Sequence, residues 1–269
     1  MVDDREIEVL INDVYEYYGF DFGGYSRASF KRRVDRLFQL DGFTNFSQFL
    51  MKVRSDGDYF DRMLEEITVN VTEMFRDPHF YKMVRTEILP VLATKPFIRL
   101  WHAGCSTGEE VFSMAIMLKE ANLLHKSLIY ATDINTVVLN VAKKGVFPLR
   151  MMQQYSENYM ASGGTKDFSH YYTANYGLAK FGQDLIEKMV FSPHNLVSDR
   201  SFNEFDLILC RNVLIYFDKD LQERALVLFD DSLAKLGYLA LGTKESIKYT
   251  SIQGKYQQLH KEKIWKKVK

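Results

Sequence analysis

The sequence predicts an α/β fold: a doubly wound, Rossmann-like parallel sheet preceded by a small all-helical domain. Three observations predict it. The first 90 residues carry apolar positions at helical spacing and little strand character. From Pro96 onward, short apolar runs alternate with helical stretches, the pattern of parallel strands joined by crossover helices. The chain then closes on two short runs, 256–259 and 263–267, which read as an antiparallel hairpin.

In the first part, Ile7, Leu10, Ile11 and Val14 recur at helical spacing, and Gly19 closes that helix. Ser26 can cap a second helix carrying Phe30, Val34, Leu37 and Phe38, closed near Gly42. Asn45 opens a third, and Asp56 or Asp58 a fourth that buries Phe60, Met63, Leu64 and Ile67. Asp77-Pro78 is a start signal, a capping side chain followed by proline at the first helical position. That helix should run to about Leu89, ahead of Pro90. Together these elements form a helical domain over 1–90.

The second part spans 96–269. Strands at 97–102, 128–132, 190–192, 205–210 and 238–242 alternate with helices at 109–120, 135–143 and 218–236, the last ending at Gly237. Residues 145–188 interrupt the alternation. They are rich in polar residues and aromatics (Tyr171, Tyr172, Tyr176, Phe181) and include Gly163-Gly164, so they read as an inserted subdomain with a helix and a small antiparallel sheet.

Composition narrows the function classes. Hydrophobic residues make up 46% and charged residues 26% of the 269, which suits a packed soluble fold and not a disordered chain. Lys+Arg and Asp+Glu both number 35, so the basic excess that phosphate binding usually requires is absent. No nucleic-acid partner is expected. Cys105 and Cys210 sit in apolar runs and read as reduced core residues. The acidic N-terminus lacks the apolar stretch of a signal peptide, and no run approaches the roughly 20 apolar residues of a membrane span. A cytoplasmic location without membrane insertion is expected, and no metal-ligand cluster stands out.

The chemistry concentrates at strand ends. The run Gly104-Cys-Ser-Thr-Gly-Glu-Glu joins a strand to a helix, and its small residues let backbone approach a ligand at the helix N-terminus. Glu109 and Glu110 would repel phosphate there. They suit a ligand that carries an ammonium group, or they simply complement the helix dipole. Asp133 ends the next strand, where a carboxylate can accept from both ribose hydroxyls or cap the following helix. Asn195 and Asn212 follow two further strands at the same carboxyl edge. Asn195 could read an adenine edge and Asn212 could line the reacting end, unless each only serves its turn.

The chain resembles the CheR family of chemoreceptor glutamate methyltransferases, from Phe30 to about Trp265. The resemblance is carried by Ile67-Thr-Val-Asn-Val-Thr-Glu-Met-Phe-Arg-Asp-Pro-His-Phe, the glycine turn with both glutamates, Ala131-Thr-Asp-Ile, and Cys210-Arg-Asn-Val-Leu-Ile-Tyr-Phe. It implies a class I methyltransferase sheet, an inserted β-subdomain, and S-adenosylmethionine as cofactor, leaving S-adenosylhomocysteine. It also implies that Asn70, Thr72 and Arg76 fold over the cofactor. Ala103, Gly104, one of Glu109 or Glu110, Asp133, Asn195, Leu196, Arg211 and Asn212 complete the implied cofactor set.

The implied reaction is methyl transfer to receptor glutamates, with Arg76 orienting a carboxylate and Tyr216 near the methyl group. An ionised carboxylate needs no general base. The Arg211-Asn212-Val213-Leu214 stretch also lacks the Asn/Asp-Pro-Pro-aromatic pattern of N-methyltransferases. Lys31, Arg32, Arg33 and Arg36 otherwise read as a solvated helix face. The resemblance makes them the docking face for the acidic methylation helices of a receptor, approached by a monomer. Alternatives are a same-fold enzyme acting on another protein carboxylate or small molecule, and a non-catalytic cofactor sensor. Whether the inserted subdomain tethers a receptor peptide by strand addition stays open at this level.

Overall fold

A computed structural model of the protein describes residues 2–68, 72–259 and 262–269. Four helices come first: α1 (Asp4–Tyr18), α2 (Arg27–Leu40), α3 (Phe46–Ser55) and α4 (Gly57–Thr68). Local chemistry explains their ends. Asp3 and Glu6 form a reciprocal capping box on α1, and Gly19 ends it in the left-handed region at φ 75°. Asn45 caps α3 by accepting from the Gln48 N–H at 2.9 Å, and Asp56, not Asp58, accepts from Tyr59 ahead of α4. Ser26 precedes α2, but its side chain makes no capping bond. Its N–H instead donates to the Tyr216 carbonyl at 2.8 Å, joining the helices to the sheet's far loops.

The Asp77-Pro78 start holds for α5 (Pro78–Met83), although not for the expected reason. Asp77 sits at φ 60° and caps nothing, because its carboxylate is bound elsewhere. The helix also does not stop at Pro90. A π-turn at Val84–Ile88 carries the chain into α6 (Leu89–Ala93), and this wider turn accommodates Pro90, which has no N–H to donate back along the continuous helix.

The α/β part follows as β1 (Ile98–Ala103), α7 (Glu109–Glu120), β2 (Ser127–Asp133) and α8 (Thr136–Lys144). The insert then contributes β3 (Val146–Pro148), α9 (Met152–Ala161), β4 (Tyr172–Asn175), β5 (Leu178–Phe181) and α10 (Gln183–Ile186). The chain returns through β6 (Met189–Pro193), β7 (Phe205–Cys210), α11 (Lys219–Ser232), β8 (Leu233–Leu241), β9 (Tyr256–Gln258) and β10 (Ile264–Lys267). The large sheet has the order β6-β2-β1-β7-β8-β10-β9. Its first five strands are parallel, and β10 runs antiparallel to both neighbours. The insert's own sheet, β3-β5-β4, is antiparallel.

Helix α11 is shorter than its sequence suggests. Leu233 already pairs with Phe205, and residues 234–237 make an irregularity in which Leu236 takes φ 62°. Strand pairing there outweighs the helical preference of an Ala-Lys-Leu stretch.

Alternation along the strands divides the interior. Leu100, Ile129, Leu207 and Ala240 face one core with α5, α6, α7 and the insert's aromatics. Trp101, Ile208, Leu239 and Leu241 face a second core shared with α1–α4 and α11. Residues 74–92 therefore pack with the sheet's first face, whereas the sequence pattern placed them in a helical unit over 1–90. Among the described residues, no helix is long and apolar enough to cross a membrane.

Candidate functional site

The carboxyl ends of β2, β1 and β7 surround a cavity of about 290 Å³. This is where an open parallel sheet leaves room for ligands. Gly104 and Ser106 form its floor. Gly104 lies at φ 78°, and a Cβ there would stand 2.5 Å from Val213 Cγ2, so only glycine allows the backbone this close. Its N–H and that of Cys105 both donate to the Thr132 carbonyl, at 2.8 and 2.9 Å. Ala103 is buried within β1 and does not line the cavity.

Asp133 is buried beside this floor. One of its oxygens accepts from the Ser106 N–H at 2.8 Å and the other from the Asn135 N–H at 3.0 Å. Burial pushes its pKa up, and these N–H groups pull it back. The helix cap is Asn135, which accepts from Val137 at 2.8 Å. Each carboxylate oxygen has two acceptor sites, so Asp133 keeps capacity for ligand hydroxyls.

The two glutamates at the start of α7 separate completely. Glu110 lines the cavity; Glu109 does not. Glu110 accepts from His102 Nδ1 at 2.9 Å and from Arg211 Nη1 at 3.0 Å. Burial alone would raise Glu110, yet His102 and Arg211 outweigh it and hold it below the usual carboxylate range. Glu109 turns into the core, where the Thr107 hydroxyl donates to it at 2.6 Å and Tyr155 of the insert stands at 3.5 Å.

Burial pushes Glu109 up to about 7 from its ordinary 4.5. Between those pH values the folded chain holds more protons than the unfolded one, so this group's contribution to stability falls as pH rises. Glu109→Gln should therefore gain roughly 3 kcal/mol over wild type at pH 8 and almost nothing at pH 4.5. Urea unfolding at both pH values measures this, and an equal effect at each would contradict the burial argument.

Arg211 is enclosed, with its side chain 2% exposed, and joins three segments. It donates to Glu110, to Asp77 at 2.6 Å and to the Arg76 carbonyl at 3.3 Å, while its guanidinium stands 4.1 Å from the Phe80 ring. The 72–77 segment is pinned from other sides as well. The Phe75 N–H donates to Ser113 Oγ at 2.9 Å, and Asn158 Nδ2 donates to the Met74 carbonyl at 3.0 Å. Phe75 and Asp77 both sit at positive φ, a strained backbone that these bonds sustain. The result presents Thr72, Glu73 and Arg76 to the cavity. Asn70 lies outside the described residues.

Asn195, Leu196, Asn212 and Tyr216 also line the cavity. Asn195 Oδ1 accepts from the Val197 N–H at 2.9 Å, so part of this side chain serves its own turn. Tyr216 is partly buried with the Arg33 guanidinium 5.8 Å from its ring centre. Burial raises its hydroxyl pKa, opposed by the charges of Arg33, Arg76 and Arg32. Glu245 acts on the same phenol in the opposite sense to these guanidinium groups. The remaining cations of α2 are spread apart: Lys31 pairs with Asp4 at 2.6 Å and Arg36 with Glu66 at 2.9 Å.

Some contributors were not visible in the sequence. Tyr25 reaches the cavity from the loop between α1 and α2, and its fully buried hydroxyl is raised by desolvation. His194, with its ring edge-on to Trp101, also lines it. A histidine inside the apolar run Leu100-Trp-His-Ala was a usable signal, because buried His102 needs a partner such as Glu110.

The donor set fits S-adenosylmethionine. Arg76 supplies positive charge for a carboxylate, Glu110 and Asp133 supply negative charge for an ammonium and hydroxyls, and the Gly104 cradle admits close approach. The family models and the sequence relatives agree. A family model described as "CheR methyltransferase, SAM binding domain" matches residues 70–264, and "CheR methyltransferase, all-alpha domain" matches residues 5–68. The Pseudomonas putida protein Cher3 is 47% identical over 98% of this chain and 97% of its own. A chemotaxis protein methyltransferase of Borreliella burgdorferi is 30% identical over 90% and 88%, and one of Salmonella typhimurium 29% over 87% and 81%. Among solved structures, the glycopeptide N-methyltransferase MtfA complexed with sinefungin has a TM-score of 0.39 at 10% identity, over 64% of this chain and 50% of that one.

Proposed function

The chain belongs to the CheR methyltransferase family and is an S-adenosylmethionine-dependent methyltransferase; we propose that its acceptors are glutamate side chains on the cytoplasmic methylation helices of chemotaxis receptors. The observation that carries this reading is the Arg33 guanidinium, 5.8 Å from the ring centre of Tyr216, which lines the cavity. A guanidinium beside the cavity attracts a carboxylate and disfavours a protonated amine. The names of the Borreliella and Salmonella relatives point the same way.

The bound cofactor supplies an electrophilic methyl group on a sulfonium. The chain's residues then need only hold and align. A glutamate carboxylate is already ionised near neutral pH, so no side chain has to remove a proton. Asp133 would hold the ribose hydroxyls, Asn195 and Leu196 the adenine, Glu110 the ammonium, and Arg76 with Thr72 the carboxylate; Asn212 would line the reacting end. Tyr216, whose pKa burial raises, remains a neutral hydroxyl that can donate to the incoming carboxylate. Alignment and exclusion of water account for the rate, since positioning alone can contribute about 7–11 kcal/mol. Helix α2 provides the docking face, and one copy of the chain suffices.

The direct experiment incubates the purified protein with methyl-labelled cofactor and receptor-bearing membranes. Base-labile label on receptor is expected. Label absent from every receptor, or found only on a small molecule, would overturn the assignment. Charge reversal at both Arg33 and Arg36 should raise the apparent KM for receptor about tenfold while leaving S-adenosylhomocysteine affinity within about twofold. Unchanged receptor kinetics would remove α2 from docking.

A further inference from the structure

The geometry points to Glu245 as a positioning residue for methyl transfer, holding the 211–217 turn that carries Asn212 and Tyr216. Glu245 follows β8, is 4% exposed and does not line the cavity. Its carboxylate folds back under the turn. Oε2 accepts from the N–H groups of Asn212 at 3.0 Å and Gly242 at 2.6 Å, and Oε1 accepts from Ile215 at 3.3 Å. One side chain thus holds both halves of the turn.

The turn needs holding. Asn212 sits at φ 62°, a left-handed conformation that asparagine tolerates better than other non-glycine residues and that the bond from its N–H to Glu245 helps fix. Its carbonyl groups are engaged from the opposite side, where Gln222 Nε2 donates to Leu214 at 3.1 Å and Phe217 at 3.0 Å. The N–H groups of Asn212 and Ile215 depend on Glu245. Close fit is visible at Gly242 too, where a Cβ would lie 2.7 Å from the Asn212 nitrogen and 2.8 Å from Glu245 Oε2.

Chemistry explains why a carboxylate occupies this place. A carboxylate offers acceptors only, matching a group of N–H donors; a carboxamide would turn its own N–H₂ toward some of them. Burial raises the Glu245 carboxyl above the usual carboxylate range, and the N–H groups of Gly242, Asn212, Ile215 and Leu214 offset this only in part. Asn212 and Tyr216 line the cavity from this turn, so a shift of about 1 Å in its backbone would misplace both and can cost on the order of a hundredfold in rate.

The inference rests on the chain being a methyltransferase with Asn212 and Tyr216 in its site, not on the acceptor being a receptor. The test compares wild type with Glu245→Gln in the full chain. In cofactor-free protein, amide hydrogen exchange at Asn212 and Ile215 should quicken at least about tenfold. S-adenosylhomocysteine affinity should fall about tenfold, and kcat on receptor about 10–100-fold with KM within about twofold. Glu245→Asp, which keeps charge but shortens the reach, should show the same split and serves if the Gln variant does not fold. A folded variant with wild-type exchange at both amides, or with wild-type cofactor affinity and kcat, overturns the proposal. If wild type labels no receptor at all, the acceptor assignment fails, and exchange with cofactor affinity still decides the role of Glu245.

Discussion

Asp133→Ala is expected to weaken S-adenosylhomocysteine binding by about 10–150-fold, the loss that follows from removing charged hydrogen bonds of about 1.5–3 kcal/mol. The effect has two sources. Any ribose hydroxyls lose their acceptor, and the N–H groups of Ser106 and Asn135 lose theirs. Ser106 sits at φ 50° against the cavity floor, so the floor itself should loosen. Asp133→Asn separates these sources. It keeps one acceptor oxygen for the backbone while losing the charge that favours the cofactor. Calorimetric titration of the wild type and both variants measures the difference. Equal affinity in all three would remove Asp133 from the ribose role.

Arg211→Gln is expected to be the most destabilising single change in the site, by about 3 kcal/mol, because it leaves the Glu110 charge with His102 as its remaining partner. The 3.0 Å pair with Glu110, between side chains 2% and 17% exposed, is one where breaking one partner costs more than removing both; Asp77, at 39% exposure, can turn to water. The double variant Arg211→Gln, Glu110→Gln should therefore recover a measurable part of the loss. Urea unfolding gives both numbers. A loss below about 1 kcal/mol for the single variant would show that water reaches Glu110 and screens it. Cofactor affinity should drop in parallel, since Arg211 also ties down the Arg76 carbonyl.

The site's legibility varied with the kind of signal. Strand ends were readable because apolar runs stop abruptly at Asp133, Ser192 and Cys210, and a parallel sheet brings such ends to one edge. Gly104 was readable because a positive φ and a close approach both demand glycine. The choice between Glu109 and Glu110 was not. Adjacent helical residues point about 100° apart, and only the rotation of α7 against the sheet decides which one reaches the cavity. The basic cluster on α2 was visible as composition, but its division into Arg33 beside Tyr216 and Lys31 beside Asp4 depends on neighbours far along the chain.

Boundaries failed where tertiary bonds competed with local ones. Asp77 reads as a cap, and its carboxylate instead pairs with Arg211, some 134 residues away. Ser26 reads as a cap, and its backbone instead meets Tyr216. A helix through Leu236 reads well, but Leu233 pairs with Phe205. At Asp77 and Leu233 one group has two possible partners, and the buried partner prevails because leaving it unsatisfied costs more.

By itself, then, the sequence determined the order of helices and strands, the parallel sheet with its final antiparallel hairpin, the insert and the Gly104–Asp133 corner of the site. These follow from periodicity and from residues with unusual backbone freedom, which act over a few positions. The tertiary structure alone decided that Glu110 enters the cavity, that Arg211 joins three segments, that Tyr25 reaches the cavity and that Glu245 supports the turn behind it. Those outcomes depend on hydrogen bonds between residues 30 to 194 positions apart, from Ile215–Glu245 to Gly24–Asp218. No local pattern encodes such a bond, because its strength comes from burial that exists only once the two cores have closed.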